Sequence, residues 1–279
     1  MSAFAAARRR GPSYGTVIAI TVVLGIIVLL FATGRLEARK WQPFLEPSTW
    51  RFLGEGLLVT LIVAGVALVL STAFGIVLGV VRSGLFGPLG WLVSGAIELV
   101  RATPILAILL IVTIVMLRLR LSSEAIFAGI IGLTIYNSAV IGEIVRAGIL
   151  SIPRGEVEAA RSLGLSYLET MRSVVLPQAL SRMTPALVSQ LITLIKDTSL
   201  LFIIAAPELL SFGRSFYNFY GNLLETYIVI ACIFFAINYP LSRFSRRLET
   251  RRPADERLHI IGEEDQTLVP VITMSHPKA

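Results

Sequence analysis

Long apolar runs, separated by short polar and basic segments, dominate the hydrophobic pattern of this chain. The runs predict membrane spans at about 16–34, 55–81, 91–117, 124–147, 185–206 and 223–243. As helices rising about 1.5 Å per residue, these runs are long enough to cross about 30 Å of hydrocarbon. The pattern therefore predicts an all-α, polytopic membrane protein with about six transmembrane helices.

Composition supports one membrane domain and argues against several other classes of protein. Of the 279 residues, 55% are apolar and only 15% are charged, whereas a soluble domain has about 25% charged residues. The single cysteine, Cys232, excludes an intrachain disulfide. A net charge of +7 could indicate a nucleic-acid partner. The basic residues, however, lie between and beyond the apolar runs, so we predict no nucleic-acid binding.

The basic residues instead predict how the chain is oriented in the bilayer. With the N-terminus in the cytoplasm, alternating spans place most of the 25 basic residues on the cytoplasmic side, including Arg8–Arg10 and the arginines of 243–257. This asymmetry is typical of bacterial inner-membrane proteins. Six spans then put both termini in the cytoplasm. The first span lacks a clear small-residue cleavage site, so we interpret it as an uncleaved helix.

The chain divides into three predicted regions. Residues 1–53 hold the N-terminus, the first span and an external loop, 54–245 hold the main set of spans, and 246–279 form a disordered cytoplasmic tail. The largest internal connection is 148–183. It contains two helix-favouring stretches, Glu156–Leu163 and Tyr167–Val175, separated by Gly164. An amphipathic hairpin on the membrane surface is one interpretation of this loop.

The residue inventory leaves little for catalysis or cofactor binding. Both histidines, His259 and His276, lie in the tail, so no triad and no zinc site can form within the spans. None of the three lysines follows a glycine, as a phosphate-binding P-loop requires. We therefore predict a non-catalytic chain with no metal site and no bound cofactor. If ATP drives its function, another subunit must bind the ATP and Mg.

The internal loop carries a recognisable motif. Glu158-Ala159-Ala160, then Gly164, then Val174-Val175-Leu176-Pro177 resemble the EAA signature of importer permeases. Further blocks in the same order are Gly56–Leu61, Arg101–Pro104, Glu143–Ile149, Ser151–Gly155, Leu176–Ala179, Pro185–Leu187 and Lys196–Leu200. Across about 54–245 the chain is similar to permease subunits of the polar amino acid ABC importers.

The resemblance implies an architecture and a set of partners. The expected fold is a five-helix type I importer core, here with one extra N-terminal helix and a cytoplasmic coupling helix in the loop. The expected partners are two copies of an ATPase, a second permease (identical or related), an extracytoplasmic solute-binding protein and an amino acid substrate. The implied ATPase-coupling residues are Glu158, Ala159, Ala160, Ser162, Leu163 and Gly164.

Those residue types suit a knob that enters a groove on a partner. Gly164 permits a turn conformation that a side chain would oppose. Ala159 and Ala160 leave a thin helix face, and Glu158 offers a charge to the ATPase surface. Pro177 is expected to end the second loop helix, because proline lacks an amide donor.

Charged and polar residues within the spans are the candidates for a substrate path. Lys196 and Asp197 are predicted near mid-membrane, where a charge is costly unless it is paired or faces water. They form either a structural ion pair with a residue such as Glu143 or the second subunit, or a site for a zwitterionic or charged amino acid. The full candidate set is Lys196, Asp197, Thr198, Arg101, Thr103, Glu143, Asn137 and Ser189.

Structural roles remain open for several of these residues. Arg101 has Glu98 one turn earlier on the same face, which predicts an ion pair, and Pro104 predicts a helix distortion beside them. Asn137 and Ser189 could line a polar path or simply hydrogen-bond neighbouring helices.

The substrate is predicted from the resemblance alone. The extra first span, the Lys40-Trp-x-Pro-Phe44 segment and the Tyr136-Asn137 pair are similar to the glutamate-type permeases of actinobacteria. Glutamate or aspartate is therefore the expected substrate, although Ile108 and Ser189 replace amide residues that relatives often carry. The alternatives are a secondary amino acid transporter or channel, an intramembrane enzyme and a membrane scaffold.

Overall fold

The computed structural model describes residues 37–83, 87–122 and 124–250, together with positions 21, 25, 29 and 34. Most of the predicted first span and residues 251–279 of the predicted tail lie outside the described residues. A 3-10 helix at Ala38–Leu45 is followed by helices α1 Pro47–Arg82, α2 Pro88–Ala102, α3 Ile105–Arg118, α4 Ala125–Leu150, α5 Arg154–Ser162, α6 Tyr167–Ile204, α7 Leu209–Tyr220 and α8 Leu223–Thr250.

Four of these helices are long and apolar enough to cross a membrane. They are α1, α4, α6 and α8, and the pair formed by α2 and α3 makes a fifth span if the two are counted together. The all-α, polytopic prediction is therefore confirmed for the part of the chain that the structure describes.

The prediction of one straight span at 91–117 is wrong. The axes of α2 and α3 differ by 104° across the break between them. Thr103 is extended, and its N–H closes the end of α2 on the Leu99 and Val100 carbonyls. Pro104 has no N–H to continue the helix and disfavours a helical conformation at the residue before it. The distortion expected at Pro104 is thus a complete break.

The expectation that Pro177 ends a helix is also wrong, because α6 continues through it. A π turn at Met171–Val175 precedes the proline, with the Leu176 N–H bonded to the Met171 carbonyl. This turn changes the hydrogen-bond register, so Pro177 lies in the first turn of the regular stretch Leu176–Asp197, where its missing N–H is tolerated. The helix ends in a 3-10 segment at Thr198–Ile204.

Three other boundaries differ from the prediction. Helix α1 begins at Pro47, so part of the predicted external loop is helical, and α8 continues to Thr250, so the first residues of the predicted tail are helical too. Helix α7 was not predicted at all. Polar residues interrupt its apolar and aromatic residues, so the sequence shows no apolar run there. Gly213 and Phe216 are nevertheless buried.

Helices α1 and α4 form the closest pair in the fold. Gly75 of α1 faces Ile141 of α4, and Gly79, one turn later, faces Val145, so the two helices run parallel. A Cβ atom built on Gly79 would lie 2.6 Å from the Val145 side chain and 2.7 Å from the carbonyl oxygen of Gly142. These glycines therefore allow the two backbones to approach closely.

Three apolar clusters follow one another along the bundle. We call the end from which α5 projects the loop end, and the other the opposite end. The loop-end cluster includes Ile141, Val145, Met171 and Ala179; the central one includes Leu109, Leu133, Leu194 and Leu201; the one at the opposite end includes Phe44, Leu53, Leu209 and Phe216.

Candidate functional site

The projecting loop is built around a glycine turn. Helix α5 ends at Ser162, and Gly164 has φ +84°, a conformation that residues with a Cβ rarely adopt. The Gly164 N–H bonds to the Arg161 carbonyl at 2.9 Å, and the Leu165 N–H bonds to the Ala160 carbonyl at 3.3 Å. These two bonds satisfy carbonyls at the end of α5 and fix the turn.

The next helix begins with a capping box. Glu169 accepts a hydrogen bond from the Ser166 N–H at 2.8 Å, and the Ser166 hydroxyl accepts one from the Glu169 N–H at 3.4 Å. The Arg161 guanidinium lies 5.7 Å from the Tyr167 ring centroid, across the turn. The helix–glycine–helix unit is therefore held on both sides of Gly164.

Polar contacts and burial attach this unit to the bundle. The Gln178 amide donates a hydrogen bond to the Glu156 carboxylate, and Arg182 donates one to the Ser151 carbonyl at 2.5 Å. Ile152 and Val175 are buried beneath the loop. A displacement of α5 would therefore act directly on α4 and α6.

Most of the predicted coupling residues lie on the exposed side of this unit. Leu163 has 84% of its surface exposed, an unusual position for a leucine at the tip of a polar turn. Ala160 differs, because it is only 5% exposed and packs inward. The expectation that Ala160 contributes to an open face is therefore wrong, whereas the rest of the set is exposed: Glu158, Ala159, Ser162, Leu163 and Gly164.

An ionic cluster lies where α1, α2 and α4 meet at the loop end. Its centre is Glu143, whose carboxylate accepts a hydrogen bond from Arg82, lies 2.6 Å from a nitrogen of Arg146 and lies 3.8 Å from a nitrogen of Arg101. Arg82 also contacts Glu98 at 3.1 Å. These five residues form one network of ion pairs that joins three helices.

Two predicted ion pairs do not form. Glu143 is not paired with Lys196, because the arginines of α1, α2 and α4 surround its carboxylate. Glu98 pairs with Arg82 rather than with Arg101, whose guanidinium points toward α4. Arg82 and Arg146 were not among the predicted site residues, although the i, i+3 spacing of Glu143 and Arg146 was a usable signal.

Two further candidates join helices instead of lining an open path. Asn137 is fully buried, donates to the Leu133 carbonyl at 2.8 Å and accepts a bond from Gln190 at 2.5 Å. The hydroxyls of Ser189 and Ser245 lie 2.9 Å apart between α6 and α8. Both contacts agree with the interhelical alternative. Gln190, the partner of Asn137, was not among the predicted residues.

Lys196 and Asp197 form the remaining polar position in the spans. Lys196 is exposed and Asp197 is partly exposed, and neither makes an ion pair with another described residue. Thr198 is fully buried and its hydroxyl donates to the Ile195 carbonyl at 2.7 Å. Thr103, at the α2–α3 break, donates to the Leu99 carbonyl. A single chain therefore does not gather all the predicted path residues into one site.

A buried carboxylate that the sequence did not reveal lies at the opposite end. Glu208 is fully buried and caps α7, accepting bonds from the Leu210 and Ser211 N–H groups at 2.9 Å each. Burial raises the pKa of this carboxyl to about 7, although the hydrogen bonds to Leu210 and Ser211 act in the other direction.

Comparison with known proteins agrees with this architecture. Residues 71–252 match the family model described as "Binding-protein-dependent transport system inner membrane component". The chain belongs to this family.

Curated relatives are amino acid permeases. "Probable glutamine ABC transporter permease protein GlnP" of Bacillus subtilis is 41% identical over 206 residues, 72% of this chain and 94% of that protein. "Glutamate transport system permease protein GluD" of Corynebacterium glutamicum is 35% identical over 240 residues, 84% of this chain and 88% of that protein.

A solved structure shows the same fold. The crystal structure of an amino acid ABC transporter with histidines has 30% sequence identity and a TM-score of 0.66, over 72% of this chain and 94% of that chain. The protein is thus the permease subunit of an ABC amino acid importer, a multi-pass inner-membrane transport component rather than a catalyst. This excludes the alternative of a secondary transporter or channel.

Proposed function

We propose that this permease imports an acidic amino acid, glutamate or aspartate, and that Lys196 pairs with a substrate carboxylate. The observation that carries the proposal is the exposed ammonium of Lys196, which has no ion-pair partner among the described residues. A charge in a span is costly unless it meets an opposite charge or water. The glutamate permease relative, similar over 84% of this chain, supports the same substrate class.

Glutamine is the second candidate substrate. It is favoured by the 41% identity to the glutamine permease relative, which is higher than the identity to the glutamate permease. Glutamine offers Lys196 only its α-carboxylate, whereas glutamate and aspartate also offer a side-chain carboxylate. Only the contact to the side-chain group would differ.

The proposed assembly is a pair of permeases, identical or related, with two ATPase subunits and an extracytoplasmic solute-binding protein. Helix α5 and the Gly164 turn would enter a groove on the ATPase, where Leu163 supplies an apolar contact and Glu158 a charge. The ATPase would bind ATP and Mg. The loop end, which carries Arg82, Arg101 and Arg146, faces the cytoplasm in this proposal, and so do both termini.

The experiment that tests the proposal is uptake by reconstituted vesicles. The permease, its ATPase and its binding protein are incorporated, and labelled glutamate, aspartate, glutamine and arginine are compared with and without ATP. Uptake of glutamate or aspartate that requires all components supports the proposal. Preference for glutamine corrects the substrate, and uptake that needs no ATPase refutes the mechanism.

Coupling through the loop is tested by Gly164→Val. Valine at φ +84° is strained by about 1–2 kcal/mol or more, so we expect ATP hydrolysis to become uncoupled from uptake while membrane insertion is preserved. The matched control is Gly155→Val in α5, where an added Cβ meets nothing within 4 Å and φ is ordinary. Uptake at the wild-type level in Gly164→Val would contradict a coupling role for the turn.

The role of Lys196 is tested by Lys196→Met. We expect uptake to fall at least about tenfold, because the lost contact between the ammonium and the substrate carboxylate is a charge-assisted interaction. Assembly with the ATPase should be unchanged. Lys40→Met, which removes a partly exposed lysine paired with Glu37, is the control for charge loss alone. Uptake equal to wild type in Lys196→Met would remove this residue from the path.

A further inference from the structure

An apolar groove opens on the side of the bundle near the loop end. It encloses about 470 Å³ and is lined by positions within 70–78 of α1, 96–100 of α2 and 131–139 of α4. The lining is almost entirely hydrocarbon, apart from two hydroxyl groups on α4. Such a groove is wide enough for an elongated apolar ligand and is open toward the side of the helices.

The length and position of the groove match one leaflet of a bilayer. Its walls on α1 and α4 each extend over eight residue steps, or about 12 Å, against about 15 Å for half of the hydrocarbon core. Arg82 follows Leu78 by one turn, and Glu143 follows Ala139 by one turn. The groove therefore ends at the ionic cluster.

The ionic cluster has a charge excess that suits an anion. Among the described residues, Arg82, Arg101 and Arg146 form ion pairs with Glu98 and Glu143 alone, which leaves one positive charge uncompensated. Arg101 is the most available member, because its side chain is 45% exposed and its ion pair with Glu143 is long, at 3.8 Å. A guanidinium has five N–H donors and binds phosphate well.

The two hydroxyls are a separate indication of a ligand. Thr134 and Ser138, one turn apart on α4, line the groove, are 8% and 5% exposed, and have no hydrogen-bond partner among the described residues. Buried hydroxyl groups ordinarily have partners. Ser138 lies five residues from Glu143, or about 7–8 Å along the helix. A ligand with an acceptor oxygen at about that distance from its phosphate would satisfy Ser138.

We propose that this groove binds one anionic phospholipid from the leaflet at the loop end. Its phosphate lies at Arg101, an ester oxygen accepts a hydrogen bond from Ser138, and one acyl chain fills the groove between α1 and α4. Basic sites between membrane helices recognise anionic headgroups in this way. The proposal does not depend on the identity of the transported amino acid.

The test measures lipid retention by the purified full-length chain in its complex. Native mass spectrometry compares bound dioleoyl phosphatidylglycerol with dioleoyl phosphatidylcholine, which has the same acyl chains but no net charge. We expect phosphatidylglycerol to be retained preferentially. Arg101→Gln should lower its retention about fivefold, whereas Arg246→Gln, which removes an exposed arginine of α8, should not. Equal effects of the two variants would overturn the proposal.

A second pair of variants tests the groove itself. Ala96→Trp places a large ring in the exposed mouth of the groove and should reduce retention of phosphatidylglycerol, while Leu92→Trp adds the same ring to α2 one turn outside the groove. If Ala96→Trp leaves lipid retention unchanged, the groove does not hold lipid. If it instead separates paired permeases with lipid retention unchanged, the groove is a protein interface and the proposal is likewise overturned.

Discussion

Arg82 donates a hydrogen bond to the Glu143 carboxylate, although the two residues are 61 positions apart in the chain. The contact joins the last turn of α1 to α4, eleven residues before the projecting α5 begins. Because Arg101 and Arg146 share the same carboxylate, three helices are connected at one point just above the loop.

Glu143→Gln should destabilise this junction. The amide keeps the shape of the side chain but leaves three arginines with one fewer negative charge. We expect a loss of about 1–3 kcal/mol in the free energy of unfolding, measured by thermal unfolding in detergent. Glu98→Gln is the matched control: its side chain is 68% exposed and has one ion pair, so it should cost less than about 1 kcal/mol. Equal losses would show that Glu143 is not the centre of the cluster.

Gly79→Ala should separate α1 from α4. The added Cβ would lie 2.6 Å from the Val145 side chain and 2.7 Å from the Gly142 carbonyl oxygen, and the backbone cannot move away easily. We expect a loss of about 1–3 kcal/mol. Gly65→Ala on the same helix meets nothing within 4 Å and should be neutral or slightly stabilising. Melting temperatures of the two variants distinguish close packing from helix propensity.

The buried Asn137–Gln190 contact should behave as a coupled pair. Asn137→Leu leaves the Gln190 amide without its acceptor, and Gln190→Leu leaves the Asn137 oxygen without its donor. Each single change should cost about 1–3 kcal/mol, and the double variant should cost less than their sum by about 0.5–2 kcal/mol. Strict additivity in a double-mutant cycle would refute the contact.

Glu208 predicts a specific pH dependence of stability. It lies in the connection between α6 and α7, outside the spans, and burial raises its pKa from 4.5 to about 7. The folded state thus favours the protonated carboxyl. The stability that this raised pKa adds to the folded state is complete below pH 4.5 and is lost as the pH rises through about 7.

Glu208→Gln should remove that pH dependence, because the amide carries no charge. Its single oxygen can accept only one of the two N–H bonds that the two carboxylate oxygens accept separately, so the variant should also be less stable than wild type at every pH. The measurement is the melting temperature of both forms between pH 4.5 and 7.5. Glu46→Gln, an exposed residue just before α1, should retain the wild-type profile. A pH profile that Glu208→Gln leaves unchanged would show that another group titrates.

The sequence predicted the helices and the loop better than their interruptions. Apolar runs locate α1, α4 and α8, because a membrane span needs a long run of apolar residues. Pro104 and Pro177 read alike in sequence, yet one breaks a span and the other lies within a helix. The difference is the π turn before Pro177, in which Met171 and Val175 are buried against the bundle.

The functional residues also divide into those that local sequence predicts and those that depend on distant parts of the chain. Gly164 could be predicted because a turn with positive φ favours glycine locally. The partners of Glu143 could not, because Arg82 and Arg101 reach it from helices that are distant in sequence. Glu208 was missed for a similar reason: its burial depends on α7, which has no apolar run to reveal it.

The break at Pro104 also has a consequence for the bilayer. Helix α3 has 14 residues, which rise about 21 Å, whereas the hydrocarbon core is about 30 Å thick. Alone, α3 is therefore about 9 Å too short for that core, and α2, which turns away by 104°, must supply the remaining depth. Because a bent pair covers less depth than a straight helix of the same length, the thickness of the host membrane becomes one of the quantities that set how stably this permease assembles.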